Sequence, residues 1–178
     1  EYKPRVADGV LEKKLKSSGA VLVEGPKWCG KTTTSEQHAK SINYISDPVN
    51  LNKNMILAEM NINALLEGDK PKLLDEWQII PQLWDAVRFE VDHSKGIGQF
   101  IMTGSAVPPE KEKQAKIHHT GTGRITSLRM RPMSLWESGE SSGEVSLANL
   151  FDNPGIPIYS ESKVLLEQIA FLICRGGW

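Results

Sequence analysis

The stretch Ala20-Val21-Leu22-Val23-Glu24-Gly25-Pro26-Lys27-Trp28-Cys29-Gly30-Lys31-Thr32-Thr33-Thr34 decides how the rest of this chain is read. Ala20 to Val23 is a short apolar run between Gly19 and Gly25, the pattern of a buried strand. Lys31 to Lys40 is polar and lacks breakers, which predicts a helix. Between them, Gly25 to Thr32 fits G-x-x-x-x-G-K-[ST]. A tight turn from a strand into a helix points successive backbone amides inward, where they cradle phosphate oxygens. Gly25 ends the strand and turns the chain. Pro26, Lys27, Trp28 and Cys29 span the cradle, and Gly30 permits close backbone approach. Lys31 is expected to reach the β- and γ-phosphates, and the Thr32 hydroxyl to coordinate Mg²⁺, with Thr33 beside it. The expected ligands are ATP or ADP with Mg²⁺.

Outward from this stretch, strand and helix signals alternate. Arg5 to Lys16 carries Val6, Val10 and Leu15 on one helical face, stopped by Ser18-Gly19. Ile42 to Ile45 is a second strand, and Asp47-Pro48 after it reads as a helix start. Leu51, Met55, Ala58, Ile62 and Leu65 follow at helical spacing up to Gly68. Leu73-Leu74 is a third strand. Ile80 to Val91 is an amphipathic helix opened by Pro81 and closed near Gly96. Gln99 to Thr103 and Ile125 to Met130 supply a fourth and a fifth strand, with a polar loop from Pro108 to Thr122 between them. The tail from Ser134 to Gly155 is loop-rich, with one helical turn near Leu147 to Phe151. Lys163 to Cys174 is a helix apolar nearly all round. The alternation predicts an α/β fold, a mostly parallel sheet with helices on both faces in three layers.

Three further features carry chemistry. In Leu73-Leu74-Asp75-Glu76 two apolar residues lead into adjacent carboxylates. At a strand's C-terminal end Asp75 can hold the water shell of Mg²⁺, while Glu76 faces the other way and can polarise an attacking water. The bland reading is a helix cap; beside a phosphate loop the catalytic reading is favoured, and Glu76 points to hydrolysis rather than to a small-molecule kinase. Next, Phe100 to Ser105 ends in small polar groups. If that strand lies between the phosphate-loop strand and the Asp75 strand, Thr103 or Ser105 comes near the γ-phosphate; a hydroxyl satisfied in a turn is the alternative. Last, Arg124 follows Gly121 and Gly123, and two readings stand: an arginine finger, or a surface arginine.

The chain has 178 residues, with 21 Lys and Arg against 22 Asp and Glu. That length supports one domain with a core. The balance gives no global footprint for nucleic acid, so a DNA-binding module would rest on local residues such as Arg129 and Arg131. No apolar run approaches the roughly 18–20 residues that span a bilayer. Glu1 to Leu15 is charged throughout, unlike a secretory leader, and the two cysteines, Cys29 and Cys174, form no metal or C-x-x-C spacing. A cytoplasmic protein without disulfides is expected. Cys29, in the cradle at a helix N-terminus, is expected to alkylate faster than Cys174 and to be protected by Mg-ATP. His38, His93, His118 and His119 have no metal-ligand companions.

Several stretches together resemble the AAA-type P-loop ATPases of bacteria and archaea whose C-terminal half is a domain of unknown function. They are Tyr2 to Arg5 (YKPR), Gly25 to Thr34 (GPKWCGKTTT), Leu74 to Gln78 (LDEWQ), Met102 to Ser105 (MTGS), Gly123-Arg124-Ile125, and Arg131 to Trp136 (RPMSLW). Arg175 to Trp178 resembles the junction where the second domain of such proteins begins. The resemblance implies strand order 5-1-4-3-2, Mg²⁺-dependent ATP hydrolysis, a polar sensor at Thr103 or Ser105 and a phosphate-sensing role for Arg124. It implies an ATPase domain over residues 1–160 and, over 161–178, a terminal helix leading to a C-terminal domain. That helix should be exposed here, paired with a second copy of the chain, or poorly ordered. The rival functions are a nucleotide-gated switch with little turnover and a DNA-binding module.

Overall fold

The computed structural model describes residues 1–105 and 123–176, so the expected loop from Pro108 to Thr122 lies outside the described residues. Five strands form one sheet: β1 (Ala20–Gly25), β2 (Ser41–Tyr44), β3 (Lys72–Asp75), β4 (Phe100–Ser105) and β5 (Ile125–Arg129). Their order is β2-β3-β4-β1-β5, with each neighbouring pair parallel. This is the expected 5-1-4-3-2 order. The helices are α1 (Val6–Leu15), α2 (Lys31–His38), α3 (Leu51–Asn61), α4 (Gln82–Ser94), α5 (Leu135–Ser138), α6 (Leu147–Asp152) and α7 (Leu166–Arg175).

Successive strand side chains point to opposite faces, so each strand feeds two cores. Val21, Val23, Leu73, Ile101 and Leu128 pack with Leu11 of α1 and with Met130. Ala20, Leu74, Phe100 and Met102 pack on the other face with Leu65 and with Leu83, Val87 and Val91 of α4. Helices therefore cover both faces, as the near-continuous apolar strands require. Leu83 is fully buried, and truncating such a side chain to alanine costs roughly 2–5 kcal/mol.

Some boundaries differ from the sequence reading for local reasons. Asp47 does not open a helix. Its carboxylate accepts from the Val49 amide at 3.0 Å and from Asn50 Nδ2 at 2.6 Å, closing a turn, and α3 starts at Leu51. The tail holds an unexpected turn of helix, α5, closed by a reciprocal cap between Ser134 and Glu137. Leu165 is extended, so α7 starts at Leu166 rather than Lys163. Its apolar side chains are exposed, Leu166 by 82% and Phe171 by 62%. Among the described residues no helix is long and apolar enough to cross a membrane.

All five strands run the same way, so their C-terminal ends share one edge. Gly25 of β1 lies in register with Ser105 of β4, while β3, on the far side of β4, ends at Asp75. A β-carbon at Gly25 would stand 2.4 Å from the Met130 carbonyl. Only glycine lets the end of β1 pass that close to the chain leaving β5.

Candidate functional site

The loop after β1 turns through two left-handed residues, Trp28 (φ 62°) and Gly30 (φ 93°), and Gly30 caps α2. Lys31, the first residue of α2, is buried, and its Nζ donates back to the carbonyls of Gly25 at 3.1 Å and Pro26 at 2.8 Å. The ammonium therefore lies over the loop it belongs to. Thr32 Oγ1 donates to Asp75 Oδ1 at 2.7 Å. The same oxygen accepts from Thr103 Oγ1 at 2.6 Å, and Thr103 Oγ1 in turn accepts from the Glu76 amide at 3.1 Å. Thr103 is 0% exposed. One carboxylate oxygen thus ties together the helix after β1 and the ends of β3 and β4.

Glu76 follows Asp75 with left-handed backbone, φ 58° and ψ 47°. A non-glycine residue held there costs about 1–3 kcal/mol and persists only where its surroundings fix it. The Thr103 bond to its amide and the 3-10 turn over Trp77–Ile79 do so. The Glu76 carboxylate accepts from Gln78 Nε2. A cleft of about 410 Å³ is lined by Lys27, Trp28, Gly30, Lys31, Thr32, Thr33 and Glu76. Backbone amides at a helix N-terminus with a lysine suit phosphate oxygens. The Thr32 hydroxyl and Asp75 carboxylate form an all-oxygen donor pair that fits a hard divalent cation such as Mg²⁺.

The sequence reading gave no role to the residues that brace this loop from behind. Arg5 is 9% exposed. Its Nη1 donates to the Cys29 carbonyl at 2.9 Å, its Nη2 to the Arg131 carbonyl at 2.9 Å, and its Nε to Glu137 Oε1 at 3.0 Å. Glu137 also accepts from the Val6 and Ser134 amides and from Ser134 Oγ. Burial alone would raise its pKa, but these four bonds outweigh burial and bring it down to about 2. Asp8 is a second brace. It accepts from the Arg5 amide and from Tyr2 Oη and pairs with His38 Nε2. Burial works against its ionised form, yet those bonds leave its pKa lowered. The Tyr2 hydroxyl also meets Thr34 Oγ1 at 3.1 Å, and burial is the main cause that raises its pKa to about 12. The visible signals were the YKPR and RPMSLW stretches and the Ser134-x-x-Glu137 spacing of a capping box.

Not every candidate reaches the cleft. Arg124 precedes Ile125, which lies in register with Ala20 at the start of β1, so it sits at the opposite edge of the sheet. Arg124 stands one residue before that pair, so six residue steps at about 3.3 Å put it roughly 20 Å from the end of β1 along the strand. There its Nε donates to Asp92 Oδ1. Of the two readings of Arg124, the surface arginine fits this position and a finger on the chain's own cleft does not. The Ser105 side chain lies outside the described residues. Cys29 is 2% exposed, and its thiol lies against the Met130 carbonyl in the core rather than in the cradle. Only its backbone can serve the cleft, which corrects the expected reactivity. Arg129, the last residue of β5, and Arg131 just beyond it are exposed and alternate with the buried Leu128 and Met130, which fits the solvent side of a strand. A larger cleft, about 700 Å³, lies beside α7, with Leu135, Val145, Ile169 and Leu172 among its lining residues. It has none of the phosphate loop's residues.

A further cleft, of about 310 Å³, shares Gly30 and Thr33 with the cleft over α2 and has Tyr2, Lys3, Arg5 and Met133 as walls. A sequence model of a family described as an AAA domain matches residues 17–138, which contain the loop, both carboxylates and all five strands. No curated protein matches the chain.

Proposed function

The chain belongs to the AAA domain family, and from that premise we propose that it binds ATP with Mg²⁺ in the cleft over α2 and hydrolyses it. The observation that carries this reading is the shared Asp75 oxygen, to which Thr32 and Thr103 both donate, with Glu76 following directly. In the proposed roles, the amides from Pro26 to Thr33 and the Lys31 ammonium hold the phosphates. Thr32 and Asp75 hold Mg²⁺, which when bound neutralises charge on the β- and γ-phosphate oxygens. Glu76 takes a proton from water as the water oxygen bonds to the γ-phosphorus and the bond to the ADP oxygen breaks. Thr103 fixes Asp75 and the Glu76 amide. Ser105 is the other candidate sensor. The cleft walled by Tyr2, Arg5 and Met133 is where the base and ribose would lie.

The position of Arg124 favours slow turnover in a single chain and a finger role only toward a neighbouring copy, which would make the active form a homo-oligomer. A nucleotide-gated switch is the second reading for the same reason. The exposed apolar side chains of α7 support residues 161–178 as the connection to a C-terminal module that the ATP cycle drives, with residues 1–160 as the ATPase unit. The test is phosphate release with and without Mg²⁺, alongside calorimetric nucleotide binding. We expect Lys31→Ala to lose binding, and Glu76→Gln to bind but not hydrolyse. Wild-type turnover by Glu76→Gln would defeat the assignment.

A further inference from the structure

Gln78 lies two residues beyond Glu76 and spends half of its amide on it, Nε2 donating to Glu76 Oε2. The other half, Oε1, is buried and has no hydrogen-bond partner among the described residues. A buried acceptor left without a donor works against the folded state. The side chain is thus held in a place that does not satisfy it, next to the one carboxylate proposed to move a proton.

The room for that amide comes from β4. A β-carbon at Gly104 would stand 2.8 Å from Gln78 Oε1 and 3.1 Å from Trp77 Nε1. Gly104 is not among the residues with positive φ, so its backbone does not demand glycine. What its position demands is the missing side chain. Two otherwise unexplained residues, the last of Leu74 to Gln78 and the glycine of Met102 to Ser105, therefore meet at one point behind Glu76.

We propose that Gln78, seated in the space Gly104 leaves open, is the positioning residue for the Glu76 carboxylate. Its amide ties up Oε2 and leaves Oε1 as the oxygen that accepts the proton of the attacking water. The inference rests on the reading of Glu76 as the base, and goes beyond it by naming what aims that base.

The experiment compares kcat and KM for ATP, and the Kd of Mg-ADP, in Gln78→Met, Gly104→Ala, Glu76→Gln and the Gln78→Met/Glu76→Gln double variant. Methionine keeps the length of Gln78 and removes the amide. Gly104→Ala displaces the amide while leaving Gln78 and Glu76 unchanged. A misaimed base is expected to cost about 10- to 100-fold in kcat with KM and Mg-ADP affinity nearly unchanged. Gly104→Ala should act in the same direction. In the Glu76→Gln background the Gln78 change should cost nothing further, because its effect passes through Glu76. Wild-type kcat in Gln78→Met and Gly104→Ala, or an equal loss in the Glu76→Gln background, overturns the inference. So does a loss that falls on Mg-ADP affinity. If Glu76→Gln itself turns over normally, the reading of the base fails first. If Glu76→Gln is inactive while Gln78→Met runs at full speed, only the positioning role fails.

Discussion

Glu137 offers a stability measurement that the structure specifies closely. Its carboxylate is 6% exposed and accepts from Arg5 Nε, two backbone amides and Ser134 Oγ. Together these bonds hold its pKa at about 2, against an ordinary 4.5. At about 1.4 kcal/mol per pH unit the difference is worth roughly 3 kcal/mol near neutral pH. The folded pKa is the lower one, so this stability is fully present above the unfolded value and is lost as pH falls from about 4.5 toward about 2. Glu137→Gln presents one oxygen and one NH₂ to a set of donors, so two or more of the bonds go and Arg5 is left as an unpaired buried cation.

We expect urea unfolding at about pH 7 to put Glu137→Gln roughly 3 kcal/mol below wild type, and the gap to narrow to about 1 kcal/mol near pH 3. The difference between the two proteins is the quantity to follow, because Asp8, whose pKa is also lowered, titrates in both. A gap independent of pH would refute the reasoning: the residue would then contribute shape and a helix cap, not a buried charge.

The other expectations concern the cleft. Lys31→Ala should weaken Mg-ATP binding at least about 100-fold by calorimetry, since the loop loses its buried cation. Thr103→Val should lower kcat while Thr103→Ser keeps most of it, because only the hydroxyl both donates to Asp75 and accepts from the Glu76 amide. Alkylation followed by peptide mass spectrometry should label exposed Cys174 well before Cys29 in the folded chain, with or without Mg-ATP. Faster labelling of Cys29 would mean that its thiol leaves the core.

The sheet was largely legible because its signals are local. Ala20 to Val23 is apolar and bounded by glycines, whereas the strand order came from the resemblance and the register is seen only in the pairing itself. The phosphate loop was legible for the same reason. The brace behind it was not: Arg5 and Glu137 are 132 residues apart, and no local pattern links a guanidinium to a carboxylate at that distance in sequence. The two readings of Arg124 could not be separated because a glycine hinge says nothing about which edge of the sheet it lies on; pairing of Ile125 with Ala20 decides that. Cys29 was misread because the rule for helix N-termini concerns position along the chain. In this loop the left-handed backbone at Trp28 and Gly30 exposes the Trp28 ring by 87%, while the neighbouring thiol is buried in the core.

The hydroxyls around Asp75 also constrain how a cation would be held. A threonine hydroxyl has one proton to give and lone pairs to share. Thr32 gives its proton to Asp75 Oδ1 at 2.7 Å, so the direction of that bond leaves the Thr32 oxygen able to accept a cation without breaking it. Asp75 Oδ1 already takes two hydroxyl protons. In the proposed site, therefore, the Thr32 hydroxyl oxygen and the Asp75 carboxylate would both remain able to hold the cation. The arrangement also explains why Thr103 matters without touching the cation. By donating to Asp75 and accepting from the Glu76 amide, it sets one carboxylate through its oxygen and the other through its backbone. A valine at residue 103 would free both at once. The proposed metal-holding and proton-taking roles should then fail together, although they belong to different side chains.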